Sequence, residues 1–340
     1  MKIKNIENIL LKNGNLKFND IYENSSKKII LGILSFINLY IIFSIIFMRN
    51  DNQYKNSYNY SKTLRFFKTD FEYHMFQREF ISSKIKKYAK FQQEKNEPYF
   101  INGIIRKLKP KKCLEIGVAY GGSAILILNA LKEIKDSFLI SLDLNKKYYG
   151  RGKANTGYRV KKYFPELAKN WKLFTGKQPH KFLEKLKIKF DLLFLDTVHL
   201  APGELINIIE ALPFLNENAI VILHDIMYHL PSNKYNYKKT KFHPSQIYLM
   251  TSLYGNKIII KDKYKGVENI GAVFLYPNQK NYYLNYFLLL LTPWEYLPNQ
   301  KQIDELKIFI QKFYKEKIYI DLFNRAFEEN KIYINKFKKF

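Results

Sequence analysis

The feature that most constrains the fold lies between residues 112 and 143. An apolar run, KCLEIG, is followed by a glycine-rich stretch, VAYGGS, and by an apolar segment with helical spacing, AILILNALKEI. A second apolar run, FLISLD, then ends in Asp143. This order predicts a strand, a glycine turn, a helix and a second strand, which is one βαβ unit. Because such units build parallel sheets with helices packed on their faces, we predict an α/β fold.

The glycine turn is typical of a ligand site. Gly117, Gly121 and Gly122 allow the backbone to turn sharply and to approach a ligand where a Cβ would collide. The next helix points its first amides at that ligand, with Ser123 as its expected N-cap. Asp143, at the end of the second strand, is placed to accept hydrogen bonds from both hydroxyls of a ribose. The alternative is a turn that only packs helix on strand, but the acid at the next strand end favours a ligand site.

Two later strands also end in acids. The run FDLLFL at 190–195 precedes Asp196, and the run AIVIL at 219–223 precedes His224 and Asp225. Because the carboxyl ends of parallel strands share one edge of a sheet, we expect Asp196, His199 and Asp225 to converge there.

This group suits the activation of a hydroxyl. Asp196 and Asp225 are suited to hold Mg²⁺, and a bound cation lowers the pKa of a coordinated hydroxyl. His199 is suited to accept the proton, since histidine titrates near neutral pH. The alternatives are helix capping for the two acids and a hydrogen-bonded loop position for His199. We expect His224 to be structural, the alternative being a contact with the shell of the metal ion.

The glycine stretch is not a dinucleotide-binding G-x-G-x-x-G motif, because Ala119 takes the place of the middle glycine, and no Gly-Lys-Ser/Thr follows as in a P-loop. Its pattern, E-I-G-x-x-x-G-G-S, resembles the first motif of class I methyltransferases that use S-adenosylmethionine (SAM). In those enzymes the loop holds the amino-acid part of SAM and the acid after the second strand holds its ribose. The resemblance implies SAM as the cofactor and a set of binding residues: Glu115, Gly117, Gly121, Gly122, Ser123 and Asp143.

Over residues 100–277 the chain resembles a narrower branch of these methyltransferases. The resemblance lies in an ordered set of motifs: the glycine motif, then L-D, F-D-x-x-x-x-D-x-x-H and L-H-D. The branch is the macrocin O-methyltransferase and cephalosporin-hydroxylase-like branch, which modifies sugars and other small metabolites. The resemblance implies O-methylation of a small-molecule or glycan acceptor, His199 and Asp196 as catalytic residues, and Mg²⁺ bound by Asp196 and Asp225. Those relatives often place a second acid before the last Asp, where this chain has His224.

The resemblance also implies a Rossmann-like, seven-stranded sheet, mostly parallel with its last strand antiparallel and with helices on both faces. We place this methyltransferase domain at 63–277, including a helical lead-in and, near its end, a helix at 244–254 stopped by Gly255. Strands at 257–261 and 270–276 complete the predicted sheet. Residues 278–340 are expected to form a helical extension, to which the sequence assigns no chemistry.

Residues 29–48 form an uncharged apolar run of 20 residues within an N-terminal segment at 1–62. A helix of this length spans about 30 Å of hydrocarbon. We therefore predict a membrane helix followed by a polar linker, the alternative being a buried or interfacial segment. Lys and Arg are balanced on its two sides, so charge does not set its orientation. Because SAM is a cytosolic metabolite, we expect a cytoplasmic catalytic domain anchored to the inner face of the membrane.

The chain carries a formal charge of +27, with 57 Lys and Arg against 30 Asp and Glu. This charge would suit phosphates or anionic membranes as partners, but we favour the alternative that a composition rich in A/T-encoded residues accounts for it. An RNA methyltransferase is one alternative, but no Asn-Pro-Pro-Tyr-like motif or RNA-binding module is present. A membrane-tethered, non-catalytic SAM-fold protein is another, against which the four acids at strand ends argue. The one cysteine, Cys113, excludes an internal disulfide and a cysteine-rich zinc site.

Overall fold

The computed structural model describes residues 81–89, 97–148, 154–226, 245–259 and 269–337. The apolar run at 29–48 and its linker lie outside these ranges, so the predicted membrane helix stays a prediction. Within the described ranges, no helix is long and apolar enough to cross a membrane.

A seven-stranded sheet forms the centre of the fold. Its strands are β1 (Lys112–Ile116), β2 (Phe138–Asp143), β3 (Trp171–Thr175), β4 (Phe190–Leu195), β5 (Leu215–His224), β6 (Gly255–Ile259) and β7 (Ile270–Leu275). They lie side by side in the order β3-β2-β1-β4-β5-β7-β6. The first five in this row are parallel, and β7 is antiparallel to both β5 and β6. The predicted sheet, mostly parallel with its last strand antiparallel, is confirmed.

Helices cover both faces of the sheet, as predicted. They are α1 (Ser83–Ala89), α2 (Glu97–Leu108), α3 (Gly122–Leu131), α4 (Tyr158–Tyr163), α5 (Pro179–Leu186), α6 (Gly203–Ala211), α7 (Ser245–Ser252), α8 (Tyr283–Leu288), α9 (Gln300–Tyr314) and α10 (Lys317–Phe337). One core lies between the sheet and α1 to α4, and a second, larger core lies between the other face and α5 to α10. The C-terminal extension is helical, as predicted, and packs into the larger core.

Three elements differ from the prediction. The sequence did not reveal β3, an edge strand in which only Trp171 is buried, so its apolar signal is weak. The helix predicted at 244–254 ends at Ser252, and Gly255 does not stop it but begins β6. Gly255 suits that strand because a Cβ there would lie 2.2 Å from the carbonyl oxygen of Phe274 on β7.

The strand order places a crevice at one edge of the sheet. The chain runs outward from β1 in both directions, through β2 to β3 on one side and through β4 to β5 on the other. Open α/β sheets bind ligands where the order reverses in this way, outside the carboxyl ends of the strands. A ligand site is therefore expected among the residues at the carboxyl ends of β1, β2, β4 and β5.

Candidate active site

A cavity of about 630 Å³ lies at this edge of the sheet. The glycine loop after β1 and Asp143 at the end of β2 line part of it, and Asp196, His199 and Asp225 line another part. Pockets for small molecules and cofactors usually measure about 300–1,000 Å³. The cavity thus has room for a ligand that contacts both groups of residues.

The glycine loop depends on backbone conformations that side chains disfavour. Gly117 has a φ of 92° and Gly121 a φ of 95°. A Cβ on Gly117 would lie 1.8 Å from the backbone oxygen of Asp196, so the ends of β1 and β4 approach closely only because this residue is glycine. Helix α3 begins at Gly122, and its N-cap is Gly121. The prediction that Ser123 caps this helix is wrong, since the Ser123 hydroxyl donates to Glu115 instead.

Glu115 lies beneath the loop and is fully buried. Its carboxylate accepts hydrogen bonds from the hydroxyls of Ser123 and Ser141, each at 2.5 Å. The Ser141 hydroxyl oxygen in turn accepts from the indole of Trp171 at 2.7 Å. Burial raises the pKa of Glu115 to about 7, although the two serine hydrogen bonds act against the shift. Glu115 is not among the cavity-lining residues, so in this structure it supports the loop from below.

Asp143 lines the cavity and also holds the glycine loop. Its Oδ2 accepts hydrogen bonds from the backbone amides of Val118, at 2.9 Å, and Ala119, at 3.2 Å. Its Oδ1 accepts from the amide of Asn145 at 2.8 Å. Since an ionised carboxylate has about four acceptor positions, Asp143 keeps capacity to bind a ligand hydroxyl.

Asp196, His199 and Asp225 converge, as the strand ends predicted. The Nε2 atom of His199 lies 3.1 Å from Oδ2 of Asp225 and 3.6 Å from Oδ1 of Asp196. The three side chains offer ligand atoms that all lie within 4.8 Å of one another. His224 joins them, because its Nδ1 lies 3.4 Å from Oδ1 of Asp196 and 3.4 Å from Oδ2 of Asp225, the two oxygens that His199 also faces.

Two residues that the sequence did not point to stand behind this cluster. Glu97, the first residue of α2, places Oε2 at 3.1 Å from Nε2 of His224. The amide of Asn269, just before β7, donates to Oδ1 of Asp225 at 2.6 Å and to Oε1 of Glu97 at 3.2 Å. Both residues are remote in sequence from the strand-end motifs, and a Glu at a helix start is usually a solvated residue that offsets the helix dipole.

The cluster shifts the pKa values of its members. Burial alone would lower the pKa of His224, but the carboxylates of Asp225, Asp196 and Glu97 together hold it well above its usual range. Burial alone would raise the pKa of Asp225, but the positive charge of His224, and then His199, hold it below its usual range. A positive charge is therefore favoured between these carboxylates.

The loop that carries His199 is fixed by a buried acid, Glu204 on α6. The Glu204 carboxylate is fully buried and accepts hydrogen bonds from the backbone amide of His199 and from the hydroxyl of Thr197. His199 has a φ of 59°, a left-handed conformation that is uncommon for residues other than glycine. Glu204 thus helps to hold His199 in the conformation that points its Nε2 at the two aspartates.

The C-terminal extension also reaches the cavity. Tyr296, Pro298 and Gln302 form part of the wall, on the side of α6. Burial, and then the nearby carboxylates of Glu204 and Glu210, raise the pKa of Tyr296 above its ordinary value. The sequence assigned no chemistry to residues 278–340, but the structure gives them a part in shaping the site.

Comparison with known proteins gives one family match. Residues 114–226 match a family model described as a methyltransferase domain. The sequence has no match among curated proteins.

Several solved structures are similar to the chain. One is the O-methyltransferase TomG from Streptomyces achromogenes, involved in tomaymycin synthesis and solved with SAM. It is 16% identical, with a TM-score of 0.44 over 57% of this chain and 90% of that one. An O-methyltransferase from Bacillus cereus, solved with S-adenosylhomocysteine (SAH), is 13% identical, with a TM-score of 0.43 over 57% and 91%. A putative caffeoyl-CoA O-methyltransferase from Staphylococcus aureus is 14% identical, with a TM-score of 0.39 over 60% and 95%.

The family match begins within β1, at Leu114, and ends just past β5, at Ile226; this stretch carries the glycine loop, the acid that ends β2 and both later acidic strand ends. The sheet has the order that places these residues at one ligand-binding edge. Taken together, the family match over residues 114–226, the sheet and the residues at its edge support a class I SAM-dependent methyltransferase.

Proposed function

We propose that the chain methylates a hydroxyl of a small-molecule or glycan acceptor, with SAM as the methyl donor. The observation that carries this proposal is the composition of one cavity. The glycine loop and Asp143 suit a nucleoside with an amino-acid tail, and the adjoining Asp196, His199 and Asp225 suit a hydroxyl that must lose its proton.

The cofactor half of the cavity is built by the loop after β1. At Gly117 and Gly122 no side chain separates the backbone from the cavity. The first backbone amides of α3 are suited to bind the carboxylate of an amino acid. Asp143 has about one acceptor position left for a ribose hydroxyl while it holds the loop through Val118 and Ala119. Glu115, Gly121 and Ser123 complete the proposed set by maintaining the loop conformation. Bound there, SAM supplies the methyl group that the acceptor oxygen receives.

In the acceptor half, His199 accepts the hydroxyl proton at Nε2. Asp225, 3.1 Å away, and Asp196 stabilise the positive charge that the imidazole gains. A general base of this kind contributes about 10²–10⁴-fold to a rate. Glu204 positions His199 for this role by holding its backbone amide.

The same residues fit a divalent cation. Asp196 and Asp225 supply carboxylate oxygens, and the Nδ1 atom of buried His224 faces them without making a hydrogen bond within the described chain. We propose that Asp196 and Asp225 hold such a cation, for which the family resemblance implies Mg²⁺. A cation bound there lowers the pKa of a coordinated acceptor hydroxyl.

Three finer points belong to this proposal. We propose that the chain belongs to the macrocin O-methyltransferase and cephalosporin-hydroxylase-like branch, because its motifs E-I-G-x-x-x-G-G-S, F-D-x-x-x-x-D-x-x-H and L-H-D resemble those of that branch. The methyltransferase domain is proposed to span 63–277, followed by the extension at 278–340. The apolar run at 29–48 is proposed to attach this domain to the inner face of the membrane.

The experiment is a search for the methylated product. The full chain is incubated with methyl-labelled SAM and with separate small-molecule, glycan and RNA fractions of host extracts, and products are sought by mass spectrometry as a label-bearing gain of one methyl group. We expect labelled products in the small-molecule or glycan fraction, with the label on oxygen, and none with Asp143→Ala. Label found only in RNA, or only on nitrogen or carbon, would refute the proposal.

A further inference from the structure

His224 is the member of the cluster that the proposed mechanism leaves without a task. Its side chain is 3% exposed, and its Nδ1 lies 3.4 Å from Oδ1 of Asp196 and 3.4 Å from Oδ2 of Asp225. A charge-assisted hydrogen bond between imidazole and carboxylate is shorter, about 2.7–2.9 Å. Nδ1 makes no hydrogen bond within the described chain, although it is buried. A buried nitrogen that faces two carboxylate oxygens at this distance suits a cation bound by all three atoms.

The spacing fits one small metal ion. A first-row divalent ion binds nitrogen and oxygen at about 2.0–2.1 Å, so neighbouring ligand atoms lie about 3.0 Å apart in octahedral and 3.4 Å apart in tetrahedral geometry. The two distances from His224 Nδ1 agree with the tetrahedral value. The three atoms would occupy one side of an ion and leave its other side open to the cavity, which Asp196, His224 and Asp225 all line.

Glu97 gives His224 the support that metal-binding histidines usually have. Metal-binding imidazoles generally donate their other N–H to a carboxylate or carbonyl, which fixes the ring and the tautomer. The Nε2 atom of His224 lies 3.1 Å from Oε2 of Glu97, a carboxylate that is 1% exposed. Asn269 holds Oε1 of the same carboxylate and also Oδ1 of Asp225. With the Nε2 proton engaged by Glu97, an ion beside the aspartates would displace the proton on Nδ1 and bind that nitrogen.

We propose that Asp196, Asp225 and His224 bind a first-row transition-metal ion in preference to Mg²⁺, with Glu97 positioning His224. The inference rests on the proposed function in one respect, namely that the acceptor hydroxyl is the group that would bind the open side of the ion. Mg²⁺ prefers oxygen ligands, whereas imidazole suits ions such as Co²⁺, Zn²⁺ and Fe²⁺. His224 stands where relatives often carry an acid, so the exchange of oxygen for nitrogen changes which ion this site selects. His199 remains the proton acceptor.

The test is metal binding, measured by calorimetry on the full chain after treatment with a chelator. Co²⁺ and Mg²⁺ are titrated separately, and the visible spectrum of Co²⁺ reports nitrogen coordination. We expect Co²⁺ to bind at least about tenfold more tightly than Mg²⁺. His224→Asp, which restores the acid of the relatives, should lower this preference at least about tenfold. Glu97→Gln should weaken Co²⁺ binding about tenfold or more, because it disturbs the partner that orients His224.

Two controls separate a ligand from a structural residue. Asp191→Asn changes a carboxylate at the opposite end of β4, where it accepts the amides of Lys111 and Lys112, and should leave Co²⁺ affinity unchanged. His199→Ala should change it by no more than a few-fold. The assignment would be overturned if wild type bound Mg²⁺ as tightly as Co²⁺ or more tightly, or if His224→Asp kept the wild-type preference for Co²⁺ over Mg²⁺. It would also be overturned if Co²⁺ binding were lost in His199→Ala but not in a His224 variant. SAM titrated into the same samples tests the proposed function separately.

Discussion

Glu115 is the residue whose replacement tests most directly how the glycine loop is supported. It is fully buried, and its two carboxylate oxygens accept the hydroxyls of Ser123 on α3 and Ser141 on β2. Glu115→Gln keeps the shape of the side chain, and its amide retains one acceptor and gains one donor for the two serines. The substitution therefore removes the ionisation of the buried group while it leaves a partner for each hydroxyl.

The magnitude follows from the pKa. Burial raises the pKa of Glu115 from 4.5 to about 7 in the folded chain. Below pH 4.5 the carboxyl is protonated in both states and has no effect on the pH dependence of unfolding. Between pH 4.5 and 7 the unfolded state loses its proton first, so the folded state binds more protons and its stability falls as the pH rises. At about 1.4 kcal/mol for each pH unit, the loss is on the order of 3 kcal/mol and is complete just above pH 7.

The assay is urea unfolding of wild type and Glu115→Gln between pH 4 and pH 8, followed by tryptophan fluorescence. Trp171 donates to Ser141 and so reports on this network. We expect the free energy of unfolding of the variant, relative to that of wild type, to rise by about 3 kcal/mol across this range. Parallel pH profiles would refute the reasoning, because they would mean that Glu115 ionises equally in both states.

Three further predictions concern the loop and the acceptor half of the cavity. Gly117→Ala should destabilise the fold by more than about 2 kcal/mol in urea unfolding, because its Cβ would lie 1.8 Å from the Asp196 oxygen and its φ is 92°; a stable variant would show that the loop can move away. His199→Ala should lower kcat by about 10²–10⁴-fold in steady-state assays, with the SAM affinity unchanged; activity within a few-fold of wild type would remove His199 as the base. EDTA should suppress methyl transfer but spare SAM binding, since the cofactor is proposed to bind at Asp143 and not at the aspartate cluster; full activity in EDTA would leave Asp196 and Asp225 as hydrogen-bonding groups.

The elements that the sequence predicted most accurately are parallel strands buried on both faces of the sheet. The runs FLISLD and FDLLFL coincide with β2 and β4, since strands buried on both faces are almost uninterrupted apolar runs. The edge strand β3 lacks that signal, because most of its residues are only partly buried. The convergence of Asp196, His199 and Asp225 was predictable for a related reason, because parallel strands bring their carboxyl ends to the same edge.

The residues that the sequence did not reveal come from distant parts of the chain. Glu97 belongs to a helix before the sheet, Asn269 precedes the last strand, and Tyr296 belongs to the extension. Each reaches the site through tertiary packing, and a single charged or polar residue carries no pattern that indicates such a contact. Glu115 was expected to bind the cofactor, but its position under the loop depends on Ser141, which lies 26 residues away on the neighbouring strand.

The central claim is that the cavity binds SAM, and calorimetry tests it most directly. SAM and SAH are titrated into the full chain, its Asp143→Ala variant and the Asp191→Asn control. We expect Asp191→Asn to bind each ligand with the same affinity as wild type. Asp143→Ala should bind both ligands about ten- to a hundredfold more weakly, since the loss of a charged hydrogen-bonding group costs about 1.5–3 kcal/mol. A folded wild-type chain that binds neither ligand would contradict the account.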